Sequence, residues 1–170
     1  MGEDPRAVAN AILDVAEQGQ LYLSNLSLNK ILFFAHADHL VLHSAPLVNL
    51  TFEAWEFGPV MPIVYRQFKT FGARTISGRA FKICTATGED VPVDYSKERI
   101  DLQFITDTVE RYGNLSPRKL VAMSHAPGGP WDAVWNGPQG ERLGMTISDG
   151  LILRCYLPPN KSSSRSRYVN

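Results

Sequence analysis

The chain has 170 residues, 44% of them hydrophobic and 20% charged, which is enough for one domain with a sizeable core. Its 17 basic and 17 acidic side chains cancel, so no global charge draws it to nucleic acid or to a membrane surface. Cys84 and Cys155 belong to no CxxC or Cys/His pair at metal spacing, a usage that suits a reducing, cytoplasmic setting.

The N-terminal MGEDPRAVANAILDVAEQ mixes acids into its opening and does not read as a signal peptide. Asp4 and Pro5 are suited to the cap and first position of a helix carrying Val8, Ala11, Ile12 and Val15 on one face, stopped by Gly19. A second helix is expected from Ser27 to about Ser44. It is apolar nearly all round, the mark of a buried core helix, yet too polar for a membrane span because three His, an Asp and a Ser interrupt Ile31 to Leu47. Thr51 to Phe57 alternates weakly as a short strand, Gly58-Pro59 signals a turn, and a third helix runs from Pro62 to Phe71. Arg79 to Thr85 and Val91 to Val93 read as a hairpin.

Asp94 or Ser96 is placed to cap a fourth helix, with Leu102, Ile105, Val109 and Tyr112 facing inward. Ser116-Pro117 opens a fifth, with Leu115 and Leu120 as a hydrophobic staple. Pro130 begins a short helical turn that brings Trp131 and Trp135 together, and Thr146 or Ser148 caps a last helix to about Leu157. Residues 158–170 read as a disordered tail, with Lys161, Arg165 and Arg167 and no acid; the rest of the chain then carries 14 basic against 17 acidic residues. The expected fold is mainly α (α+β): one compact helical domain over residues 1–157 with a small β-hairpin or strand pair.

His36, His39 and His43 lie near one stripe of the second helix, and His125 could join them from another, so a metal-dependent hydrolase is one reading. Against it, Leu40, Val41 and Leu42 fill the interval where such hydrolases carry their base, and interior histidines with ordinary hydrogen bonds are the preferred account. Two Ser-x-x-Lys patterns, at Ser27 and Ser116, sit where helices start and are explained by capping. No catalytic motif, metal site or cofactor fingerprint emerges. A nucleic-acid-binding regulator using the tail with Arg66, Lys69 and Arg74 is a third reading, disfavoured by the slightly acidic body. Trp55, Phe57, Tyr65, Phe68 and Phe71, beside Arg66 and Lys69, offer core packing for some rings and a recognition surface for the remainder.

The run LNKILFFAHADHLVLHSAPLV followed by FEAWEFGPVMPIVYRQFKTFG resembles the hallmark of the Panacea, or SocA-like, antitoxin domain, whose relatives include phage-associated GepA-type proteins. The matching positions include Lys30, Phe34, Ala35, His39, Glu53, Ala54, Trp55, Phe57, Gly58, Pro59, Pro62 and Tyr65. A second match comprises Leu115, Ser116, Ser124, His125, Pro130 and Trp131, with an Ala-Pro-Gly-Gly insertion where an acidic residue is more usual. The resemblance implies a cytoplasmic, non-enzymatic antitoxin that binds a cognate toxin, by direct masking or as an adaptor that delivers it to ClpX or another AAA+ protease. It directs attention to Trp55, Phe57, Tyr65, Arg66, Lys69, His39 and His125 as candidate partner-binding residues, and to Lys30, Glu53, Gly58, Pro59, Pro62 and Trp131 as the family motif.

Overall fold

The computed structural model describes residues 2–137 and 145–157; the expected tail lies outside the described residues. Helix α1 (Pro5–Gln18) starts as its sequence dictates. The Asp4 carboxylate accepts from the Arg6 amide at 2.9 Å, and Pro5 occupies the first turn, where its missing N–H is not needed. Helix α2 (Asn25–His43) begins two residues earlier than the sequence suggests, because the Ser24 hydroxyl, not Ser27, accepts the free amide, that of Ser27, at 3.2 Å. It ends on Ser44 in the left-handed conformation, whose amide closes on Leu40 O. Apolar on almost every face, α2 is the axis of the molecule and packs against α1 and several of the elements introduced below.

Strand β1 (Phe52–Trp55) pairs antiparallel with β2 (Gly58–Val60), Trp55 opposite Gly58, so Glu56-Phe57 is the turn and Gly58-Pro59 already belongs to the returning strand. Pro59 is tolerated at this sheet edge, where its missing donor breaks no ladder. Helix α3 (Pro62–Phe68) is shorter than expected and tightens into a 3-10 turn over Lys69–Phe71. The predicted hairpin is present as β3 (Phe81–Ile83) and β4 (Asp90–Pro92). Asn10 anchors it to α1, its amide donating to Ala80 O and Val93 O and its carbonyl accepting from Ala80 N at 2.7 Å, which leaves this buried polar group fully satisfied.

Helix α4 (Leu102–Tyr112) is capped by Asp101 rather than by Asp94 or Ser96. It buries Ile105, Thr108, Val109 and Tyr112, and Leu102 packs half-buried against the same core. Helix α5 (Pro117–Ser124) has the Ser116 cap as read. Helix α6 (Pro130–Trp135) brings Trp131 and Trp135 into a stack at 5.5 Å. Strand β5 (Thr146–Ile147) joins the other edge of β1, so Ser148, not Thr146, caps α7 (Asp149–Tyr156). The described residues are mainly helical with short antiparallel strands, and nearly all their buried apolar side chains join one continuous core.

Candidate functional site

The β1–β2 hairpin is held against α2 and α5 by an unusual packing choice. Lys30, in the first half of α2, is 1% exposed, and its ammonium donates to Pro59 O at 2.8 Å. Room for it exists because residue 58 is glycine. A Cβ there would press on Ser124 Oγ and come within 2.8 Å of Lys30 Cε, and φ of +101° disfavours any other residue. Burial alone pulls the Lys30 ammonium down to about 7. Among the described residues it makes no ion pair, although Arg6, Arg79, Arg99 and Arg111 each have a carboxylate.

Beside Lys30 a cavity of about 400 Å³ opens between the start of α2, the hairpin turn and α3. Trp55, Phe57, Tyr65 and Lys69, four of the residues singled out from the sequence, line it together with Lys30 and Glu56. Trp55 is braced on three sides. Its ring meets Tyr65 edge-on at 4.9 Å, its indole N–H donates to Glu53 at 2.8 Å, and its carbonyl accepts from the Trp131 indole at 2.8 Å. Phe57, at the tip of the turn, is 58% exposed and has a large apolar face free for contact. Asn25 and Asn29 also face the cavity, and both are committed to the scaffold. Asn25 donates to Tyr65 O, and Asn29 accepts from Met61 N at 3.0 Å while donating to Asn25. The Asn-x-x-x-Asn spacing on one helix face was the available signal for this pair, and the sequence reading passed over it.

Three candidates fall outside the cavity. Arg66 is exposed on α3 but is not among the lining residues. His39 lies nine residues along α2 from Lys30, about 13 Å by helical rise, where its ring donates to Ala45 O and packs against His43 and Phe104. His125 stands behind Lys30. Its ring lies flat on Trp131 at 3.6 Å, and its Nε2 is buried without a hydrogen-bond partner among the described residues. Burial, then the nearby Lys30 charge, hold its pKa below the ordinary value. Glu53, His39 and His125 therefore each have separate surroundings.

His36 and His125 stand apart from the neighbouring rings of His39 and His43. His36 is fully buried, accepts from Val48 N and meets the Asp149 carboxylate at 3.0 Å, a pairing across 113 residues that spacing within α2 could not reveal. Burial lowers its pKa and Asp149 partly opposes this. Among the described residues no group of three or more His, Cys, Asp or Glu side chains could hold a metal ion, and His36 and His125 do not join His39 and His43 as the helical stripe suggested. No helix among them is long and apolar enough to cross a membrane.

A second cavity, about 450 Å³, opens further along α2 between Phe34, Asp38, Leu42, Tyr112, Met123 and Tyr156. One oxygen of Asp38 accepts from both the Tyr112 hydroxyl and Arg111 at 3.1 Å, and Leu42 at its rim is mostly exposed.

With this geometry in view, comparison with known proteins gives a consistent result. The profile of the family described as Antitoxin SocA-like, Panacea domain, matches residues 28–132. Antitoxin SocA of Caulobacter vibrioides (strain NA1000 / CB15N) is 45% identical over 150 residues, covering 88% of this chain and 80% of that protein. No solved structure matches.

Proposed function

This chain belongs to the SocA-like, Panacea-domain family, and from that premise we propose that it is an antitoxin that captures a cognate toxin protein in the cleft beside Lys30. The observation that carries the reading is the convergence of Trp55, Phe57, Tyr65 and Lys69 on one open cavity whose walls are already braced. Aromatic anchors with few rotatable bonds, set in a stiff Pro/Gly hairpin, lose little entropy on association and are the usual centres of binding energy. In this reading the chain catalyses no reaction and uses no metal or cofactor. Its setting is the bacterial cytoplasm, and the association with phage-borne relatives follows from the same kinship.

Neutralisation ends in delivery of the captured toxin to a ClpXP-type AAA+ protease. The feature that favours hand-over is the second cavity at Phe34, Asp38, Leu42 and Tyr156, because an adaptor needs two surfaces occupied at once. Co-expression tests the core of the proposal. The small protein encoded beside this chain should arrest growth when expressed alone, and this chain should restore growth. A harmless neighbour that forms no complex with this chain removes the antitoxin reading. A captured toxin that ClpXP leaves intact removes the delivery step and leaves capture standing.

A further inference from the structure

Lys30 is chemically out of place. An ammonium has three donors, and among the described residues this one donates a single hydrogen bond, to Pro59 O, and has no ion pair. The four arginines that form ion pairs are all more exposed than Lys30, so the most deeply buried cation among the described residues has no carboxylate. Buried charges are ordinarily paired, because taking an ion out of water without a counter-ion is costly. A methionine would fill the same volume and pack on the same apolar neighbours. The lysine is instead kept in the wall of an open cavity that also carries Lys69 at its rim and, in its lining, one acidic residue, Glu56. The balance of charge around the cavity is positive, and Trp55, Phe57 and Tyr65 supply the apolar remainder.

We propose that this cavity is an acceptor for an acidic side chain of the toxin, an Asp or Glu beside a large apolar residue, and that its carboxylate completes the ion pair Lys30 lacks. The inference rests on the toxin-capture reading of the cleft and adds to it the chemistry of the partner's anchor. The apolar residue packs against Phe57 and Tyr65 while the carboxylate reaches the ammonium. In the complex the pair is shielded from water, where a charge-assisted hydrogen bond is strongest. Specificity follows from the same arrangement: a partner that inserts an amide or an aliphatic group leaves the buried ammonium unpaired, and one that inserts a basic group meets repulsion.

Titration calorimetry between the purified toxin and this chain is the test, with Lys30→Met and Lys30→Arg in the full chain and acid-to-amide replacements over the toxin's surface. Lys30→Met should fold, as judged by its melting curve, and bind the toxin about tenfold or more weakly. One Asp→Asn or Glu→Gln change in the toxin should cost about as much, and the two changes combined should cost no more than either alone, the mark of direct coupling. Lys30→Arg should fail to restore binding, because the larger fork does not fit beside Gly58. Toxin binding by Lys30→Met at wild-type affinity, or losses that add for every toxin carboxylate, overturns the proposal and leaves toxin capture in place. A wild-type chain that binds no toxin overturns both.

Discussion

Replacing Lys30 with Met should make the free protein more stable, and by an amount that depends on pH. Burial lowers the Lys30 pKa to about 7 from an ordinary 10.5. Because the folded value lies below the unfolded one, the unfolded chain binds the proton more tightly between the two, and stability rises with pH across that window. The difference corresponds to a destabilisation of about 5 kcal/mol, present in full below pH 7 and lost above 10.5. Opposing it is the hydrogen bond to Pro59 O; the methionine leaves that carbonyl without its donor, at a cost of about 1–3 kcal/mol. Lys30→Met should therefore gain about 2–4 kcal/mol at pH 6, a rise in melting temperature of about 4–16 °C for a chain of this size. By pH 10 the advantage should vanish or reverse. Urea denaturation of both proteins at intervals from pH 6 to 10 measures the gap directly. A methionine variant less stable at every pH, or a gap that does not narrow as pH rises, would refute the argument that Lys30 is a buried cation without a partner.

Other perturbations follow from the same structure. Trp131→Ala removes a buried ring on which His125 stacks and which holds the Trp55 carbonyl; it should cost about 3–5 kcal/mol and yield poorly soluble protein, and a well-folded variant that lost only its partner would place Trp131 at the interface instead. Gly58→Ala combines a positive φ with a collision against Ser124 and Lys30, so a loss of about 2 kcal/mol or more is expected in thermal melts; a neutral result would show that the hairpin can shift away from α5. His36, His39 and His125 all have pKa values lowered by burial, so the unfolded chain takes up protons first and stability should fall as pH drops below about 6.5; a flat profile between pH 7 and 5 would contradict this. Elemental analysis should find well under one zinc per chain, and chelator should leave the melting temperature unchanged; one equivalent per chain would revive the hydrolase reading.

The helices were legible where local chemistry decides them. Asp4-Pro5, Ser116-Pro117 and Ser148 each cap a helix as their sequence context suggests, and the all-round apolarity of α2 correctly marks a buried axis. Boundaries were misplaced where several capping residues compete. Ser24 and Ser27 are both eligible, as are Asp94, Ser96 and Asp101, and the winner depends on where the preceding loop is anchored. The aromatic run around Trp55 was legible as a unit because Pro and Gly confine its backbone. The partners of single polar groups were not. His36 finds Asp149, Asp38 finds Tyr112, and Gly58 makes room for Lys30 and Ser124, each through a tertiary contact that helical periodicity does not encode. That is why the histidine stripe looked like a site and the lone lysine did not.

If this chain captures its toxin through the cleft formed by Trp55, Phe57 and Tyr65, the aromatic rings there must carry much of the affinity. Phe57 is the residue to test, because it is exposed at the turn and contributes little to the core. The measurement is the affinity of purified toxin for the wild-type chain and for Phe57→Ala, with melting temperatures taken alongside. The wild-type chain should form a stoichiometric complex, and Phe57→Ala should melt at the same temperature yet bind about 30-fold or more weakly, as the loss of a central aromatic anchor requires. Absence of any complex, or equal affinity for both proteins, would contradict it.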